Sequence, residues 1–395
     1  MKILHCSDIH LGRRIVGAVG DFSDLRFDDY FKSFEYIIDY AVNNPVDVFV
    51  VAGDLFDKKE ISPEVLARTE FLFAKLKNAN IQTLVIEGNH DKIKSGKEKE
   101  SWINYLEEKQ LIIRPHYIEN GEEIDFNPYI IDNVRFFGLG YPGFFTDELI
   151  ELFAERHLRS DGFIDYVIIH TALLNPDIMM GTIKHDSILK LVGKVDYVAG
   201  GHFHDYNTYP KDEPIFFVPG SPEMWDFGEY RQQKGFIIFD TETGLKEFFP
   251  TINRKKHVIK ATIDMPDLTS ANLQLNNIVS NEEISDSPIC YLLLDVKHQI
   301  ELDLTTAEDI LLSKGAVKVI SRITGNRNNL GDFSGFDSTI AELESALVTS
   351  WEKFGKIPDE TMLLLQNMKQ YQIENLDSDF KDLLNNFLDK MITGE

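Results

Sequence analysis

Cysteine, positive charge and long apolar runs are all scarce in this chain, and each scarcity removes a class of protein. Only two cysteines, Cys6 and Cys290, occur in 395 residues. That is too few for a disulfide framework, so a reducing, cytoplasmic location is expected. Nothing approaches the about 18 consecutive apolar residues of a membrane-spanning helix, so no membrane association is expected. The N-terminus enters a strand at once, without a charged leader and apolar segment, which predicts no secretory signal. Basic residues number 40 against 65 acidic ones, for a formal net charge of −25. This argues against a protein held on nucleic acid by bulk positive charge. It leaves room for a nuclease, because bound divalent cations can present positive charge locally. Internal repeats and low-complexity segments are also missing.

What is present is a set of apolar strands that each end in polar, ligand-type residues. Hydrophobic residues make up 43% of the chain, ordinary for a globular protein with room for two or three domains. Val48–Ala52 reads as a strand buried on both faces and ends in Gly53-Asp54. Asp8 and His10 follow the strand Ile3–Cys6, and Gly88-Asn89-His90-Asp91 follows Gln82–Ile86. His170 closes Tyr166–Ile169, and Gly201-His202-Phe203-His204 follows Tyr197–Ala199. Strand ends on a rigid sheet are where open α/β folds place their sites. Carboxylate, amide and imidazole donors together suit hard divalent ions with open water positions. Asp54 is the residue on which the set converges, read as a carboxylate shared by two metals.

Strand and helix signals alternate to about Phe163, and strands dominate after it, through Val195–Ala199, Ile215–Val218 and Phe236–Asp240. Helices are expected over Asp28–Asn43, from Ser62-Pro63 to Asn78, and over Glu100–Lys109. Residues 1–254 therefore read as one α/β domain of sheets flanked by helices. A β-α-β-α-β pattern over 255–324 reads as a small second α/β domain, 325–336 as a turn-rich linker, and 337–395 as a helical tail. In the tail, Phe380, Leu383, Leu384, Phe387, Leu388 and Met391 share one helical face behind Ser378 as N-cap.

Asp8-Ile9-His10, Gly53-Asp54-Leu55-Phe56-Asp57, Gly88-Asn89-His90-Asp91, His170 and Gly201-His202-Phe203-His204 together resemble the calcineurin-like metallophosphoesterases. Ser7-Asp8-Ile9-His10-Leu11-Gly12 and the run Pro219-Gly220-Ser221-Pro222-Glu223-Met224-Trp225-Asp226-Phe227-Gly228-Glu229 bring the resemblance closer to the SbcD-type nucleases of double-strand-break repair. The resemblance implies a four-layer α/β/β/α sandwich with a small α/β capping domain and a helical C-terminal tail. It implies two Mn²⁺ per subunit, one held by Asp8, His10, Asp54 and His204, the other by Asp54, Asn89, His170 and His202. It assigns His90 to transition-state stabilisation or to protonation of the leaving oxygen. It also implies a homodimer acting on single- and double-stranded DNA ends with an SbcC-type coiled-coil ATPase. Some relatives carry a histidine where this chain has Asp57, so no role is carried to that position.

Other residues receive weaker expectations. Arg13, Arg14, Lys58, Lys59 and Lys92 flank the metal loops and are candidate DNA contacts. Asp91 is expected to orient its loop, and His5 to be a core histidine. The tail stripe is read as docking on the ATPase coiled coil. The leading reading is a Mn²⁺-dependent exonuclease and endonuclease. The alternatives are a metallophosphoesterase on a small phosphate ester or cyclic nucleotide, and a non-catalytic DNA tether.

Overall fold

A computed structural model of the chain describes residues 1–15, 20–92, 101–120, 123–174 and 179–325. These divide into two units between Asn253 and Arg254. The first runs β1 (Lys2–Cys6), α1 (Gly20–Asn43), β2 (Val48–Ala52), α2 (Pro63–Asn78), β3 (Gln82–Ile86) and α3 (Trp102–Glu108). The hairpin β4 (Ile118–Asn120) and β5 (Glu123–Asp125) precedes β6 (Tyr129–Ile131), β7 (Val134–Gly140), α4 (Thr146–Arg156) and β8 (Ile164–Ile169). Then follow α5 (His185–Leu189), β9 (Tyr197–Ala199), β10 (Asn207–Tyr209), β11 (Phe216–Val218), β12 (Gly235–Asp240) and β13 (Lys246–Pro250).

Two sheets form, ordered β13-β12-β1-β2-β3 and β10-β11-β9-β8-β7-β6. Side-chain alternation along β2 explains why they stack. Val48, Val50 and Ala52 point at Phe136, Tyr166, Tyr197 and Phe217 of the second sheet. Phe49 and Val51 point the other way, onto the apolar stripes of α1 and α2. In α1 that stripe is Phe27, Phe31, Phe34, Ile37, Ile38 and Ala41, all buried. Helix α2 starts where Ser62 Oγ accepts the Val65 N–H at 3.3 Å, with Pro63 in its first turn. On the far side, α4 and α5 bring Ile150, Phe153 and Ile188 against Phe137 and Val167. The result is the expected α/β/β/α sandwich. Truncating a phenylalanine from such a core costs about 3–5 kcal/mol, so the strand ends stand on a rigid base.

The second unit is β14 (Lys256–Ile263), α6 (Leu268–Ser280), β15 (Ile289–Val296), α7 (Thr305–Ser313) and β16 (Lys318–Gly325). Its three strands are parallel in the order β14-β15-β16. Asp267 caps α6 by accepting the Ser270 N–H at 2.9 Å, and Leu275 and Leu311 pack on Ile259, Ile263 and Leu292. Apart from Gly325, the linker and the helical tail with its Phe380–Met391 stripe lie outside the described residues. Among the described residues, no helix is long and apolar enough to cross a membrane.

Candidate metal centre

The carboxyl ends of β1, β2 and β3 in one sheet, and of β8 and β9 in the other, open onto one cluster. Loop backbones lock the first two together: Asp8 N–H donates to Gly53 O at 3.1 Å, His10 N–H to Asp54 O at 3.0 Å, and Leu11 N–H to Leu55 O at 2.9 Å. Asp8, His10, Asp54 and His202 all take left-handed backbone, with φ of 54°, 50°, 51° and 75°. Each such non-glycine residue costs of order 1–3 kcal/mol, and such strain gathers at functional sites. Close approach also dictates glycine: a Cβ on Gly53 would lie 2.3 Å from His170 Nδ1.

Acceptors meet acceptors at the centre. His170 Nδ1 donates to Ala52 O at 2.8 Å, which leaves Nε2 facing Asn89 Oδ1 at 3.1 Å and Asp54 Oδ2 at 3.3 Å. His202 Nδ1 lies 3.1 Å from the same Asn89 oxygen. His10 Nε2 is 3.3 Å from His204 Nε2 and 3.8 Å from Asp54 Oδ2. Asp8, His10 and His204 gather one set of potential ligand atoms, and Asp8, Asp54 and His170 another. Buried His10 Nδ1 and His202 Nε2 have no hydrogen-bond partner among the described residues. Carboxylate, amide and imidazole atoms crowded together at these distances need positive charge between them, and the mixed O and N donors fit divalent cations.

Electrostatics agree. Burial opposes charge on His170, but the Asp54 carboxylate outweighs it and holds the ring up at about 9. Burial likewise opposes ionisation of Asp54, yet the His170 and His90 rings hold its carboxyl well below the usual carboxylate range. His202, buried and next to His170, is pushed down to about 3. The cluster thus demands positive charge, and without bound cations a proton on His170 supplies part of it.

His90 stands at the edge of this cluster, half-buried. Its backbone N–H donates to Asp54 Oδ1 at 2.9 Å, and its Nδ1 to the Asp57 carbonyl at 2.6 Å. Asp91 orients the loop by accepting the N–H groups of Leu55, Phe56 and Gly88 at 2.9–3.1 Å. His5 is a buried core histidine between Tyr197 OH and Gly200 O, each at 3.0 Å. Of the basic candidates, Arg13 is engaged within the chain: it donates to Asp57 Oδ1 at 3.1 Å and to the Trp225 carbonyl, and stacks 3.1 Å from the Trp225 ring centre. Arg14 pairs with Asp24 at 2.6 Å, and Lys92 donates to Tyr141 O at 2.9 Å. Lys58 is exposed and Lys59 half-buried.

Sequence reasoning assigned no role to Asp57, Trp225, Glu229 or Tyr141. Asp57 groups with His10 and His90 as a further set of potential ligand atoms. The Trp225 ring lies 4.3 Å from His10, 4.9 Å from His204 and 5.4 Å from His90, centre to centre. The Tyr141 ring lies 6.0 Å from His170 and 5.9 Å from His202. Trp225 and Glu229 belong to the run after the last histidine pair. Their place there was the available signal, but nothing in the run says which side chains turn inward.

A four-layer sandwich with carboxylate, amide and imidazole donors at its strand ends defines a metal-type phosphoesterase. The profile of the calcineurin-like phosphoesterases matches residues 1–206, and the chain belongs to that family. It is 28% identical over 333 residues to the DNA double-strand break repair protein Mre11 of Methanosarcina mazei, covering 81% of this chain and 49% of that protein. The protein of the same name from Saccharolobus solfataricus is 27% identical over 413 residues, covering 100% and 99%. That from Methanosarcina acetivorans is 27% identical over 333 residues, covering 80% and 49%. The chain thus spans about half the length of the two Methanosarcina relatives. A putative 5'-nucleotidase from Staphylococcus aureus is a distant structural match, with a TM-score of 0.36 and 13% identity over 63% of this chain and 53% of that one.

Proposed function

We propose that this chain is a Mn²⁺-dependent DNA nuclease, cutting phosphodiester bonds as exonuclease and endonuclease in double-strand-break repair. One observation carries the reading: Asp54 Oδ2 lies between His10 Nε2 at 3.8 Å and His170 Nε2 at 3.3 Å, where a single carboxylate can serve two cations. Asp8, His10, Asp54 and His204 would hold one, and Asp54, Asn89, His170 and His202 the other. A bound pair supplies Lewis-acid charge for in-line attack on a phosphodiester. The chain's own residues do the rest. His90, with Nδ1 committed to the Asp57 carbonyl, keeps Nε2 to exchange a proton with the leaving oxygen. Arg13 and Trp225 wall the cluster on the His10 side, and Asp91 holds the Asp54 and Asn89 loops in register.

In this reading 1–254 is the nuclease domain, 255–324 a capping domain and 325–336 a linker. The tail 337–395 docks an SbcC-type coiled-coil ATPase, and the working form is a homodimer on DNA ends. Support comes from the relatives' shared name, a double-strand break repair protein, and from Phe71 of α2, which stays 64% exposed where a partner helix could cover it. The test is cleavage of labelled hairpin, duplex and single-stranded DNA with Mn²⁺, with and without the ATPase. Metal-dependent cleavage of DNA is expected. Hydrolysis confined to small phosphate esters or cyclic nucleotides would overturn the reading.

A further inference from the structure

We propose that Glu229, clamped by the buried Lys234, is a positioning residue that fixes His204 as a cation ligand, and so sets the affinity of one cation site and not the other. The inference rests on the two-cation reading above.

Among the ring ligands, His204 is treated differently on its outer nitrogen. His170 Nδ1 meets a backbone carbonyl, Ala52 O at 2.8 Å. His10 Nδ1 and His202 Nε2 meet no partner among the described residues. His204 Nδ1 meets a carboxylate, Glu229 Oε1, at 3.0 Å. A carboxylate only accepts, so Nδ1 carries the hydrogen and Nε2 turns its lone pair to the cluster, 3.3 Å from His10 Nε2. The other oxygen, Oε2, accepts from Lys234 Nζ at 2.7 Å and from the Trp225 N–H at 2.8 Å. One carboxylate therefore aims the His204 ring and seats the loop whose indole packs on it.

Lys234 is 2% exposed, and an ammonium buried beneath a cation site is unfavourable unless its partners repay it. Here they do. Besides Glu229, Nζ faces Ser221 Oγ at 2.9 Å, Gln232 Oε1 at 2.9 Å and the His204 carbonyl at 2.8 Å, four acceptors sharing its three hydrogens. The lysine thus holds His204 twice, by its backbone directly and by its ring through Glu229. A Cβ on Gly220 would stand 2.7 Å from the same carbonyl, so the chain is packed closely around that oxygen. The other cation's ligands, Asn89, His170 and His202, have no hydrogen bond to Glu229 or Lys234 among the contacts seen.

The replacement Glu229→Gln keeps the shape. It cannot present acceptors to His204 Nδ1–H, the Trp225 N–H and the Lys234 ammonium together, because one end becomes a donor. Titration of the whole chain with Mn²⁺, followed by the electron paramagnetic resonance signal of free Mn²⁺, reads affinity and stoichiometry without any nuclease assay. The expected result is two ions in the unmodified chain, and in Glu229→Gln one ion at unchanged affinity and one weakened about 10–100-fold. Adding Glu229→Gln to His204→Ala should change nothing further, because both act on the same site. Glu229→Asp keeps the charge against Lys234 but falls short of His204, and should show the same single-site loss should Glu229→Gln fail to fold. Two ions at unchanged affinity in a folded Glu229 variant, equal weakening of both, or additivity with His204→Ala would overturn the proposal. Fewer than two ions in the unmodified chain would instead overturn the two-cation reading itself.

Discussion

Gly88 lies so close to Asp54 that a Cβ on it would stand 2.1 Å from Asp54 Oδ1 and 2.3 Å from the Asp54 nitrogen. The loop that carries Asn89 and His90 is thereby pressed onto the loop that carries Asp54. A methyl group cannot be absorbed there, because its neighbours are a buried carboxylate oxygen and backbone rather than a flexible chain end. Gly88→Ala is expected to displace Asp54, lower Mn²⁺ occupancy and reduce cleavage at least ~10²-fold, as small misplacements of reacting groups do. Metal analysis of the purified variant beside a rate measurement checks it. Unchanged occupancy and rate would contradict the geometry.

His90 is expected to act on the reacting phosphate rather than on the ions. His90→Gln should retain both ions and DNA binding while the cleavage rate falls ~10²–10⁴-fold, the range for loss of a general acid. Stopped-time cleavage and metal analysis on the same sample separate the two effects. Loss of one ion in this variant would make His90 a ligand or a support.

Away from the site, Asp165 carries a stability prediction. It is fully buried, is held by Arg135 at 2.6 and 2.8 Å and accepts from His157 Nε2 at 2.9 Å. Burial opposes its ionisation, but the His157 and Arg135 hydrogen bonds hold its carboxyl below the ordinary range. A folded-state pKa depressed in this way stabilises above the unfolded value of about 4, and the contribution is lost as pH falls through the folded value. Asp165→Asn should therefore cost about 3 kcal/mol at pH 7, as removal of one member of a buried ion pair does. The gap should begin to narrow below about pH 4 and close only below the folded value. Urea unfolding of both proteins in chelator at pH 7 and pH 3 measures it, and an equal gap at both would contradict the assignment.

The strand ends were the legible part of this fold. Val48–Ala52 is buried on both faces, so its run of apolar residues has no polar interruption, and the Asp54 turn follows directly. Strand β9 is likewise buried throughout, and β1 and β3 are buried after their first residues, Lys2 and Gln82, so a ligand-bearing turn follows each run directly. Strands β4, β5 and β6 are three residues each, with Ile118, Tyr129 and Ile130 exposed, so no period stood out. Helix α1 begins at Gly20 rather than Asp28: its first turns bury the polar Ser23 and Arg26 while Phe22 and Leu25 stay only half-buried, so the buried face there is not the apolar one. Arg26 is fully buried against Asp29 and Glu223, a partnership 197 residues apart that no local pattern carries. The roles of Glu229 and Lys234 were not legible for the same reason: they lie in His204, which both meet.

The tail prediction concerns residues outside the described structure. Leu384→Asp with Phe387→Asp should abolish co-purification with the coiled-coil ATPase, since truncating one central anchor of a helix-in-groove contact already costs ~2–4 kcal/mol. Mn²⁺-dependent cleavage of single-stranded DNA by the isolated chain should be unaffected. Unfolding of the isolated double variant would place the stripe in an intramolecular core instead.

The central claim, two cations sharing Asp54 in a DNA nuclease, is tested most directly by comparing the unmodified chain with Asp54→Asn for bound Mn²⁺ and DNA cleavage on the same preparations. The account predicts two ions and Mn²⁺-dependent cleavage in the former. In the latter it predicts loss of the shared-site ions and of most cleavage, with the fold retained by circular dichroism. Near-normal cleavage by a folded Asp54→Asn chain would contradict it.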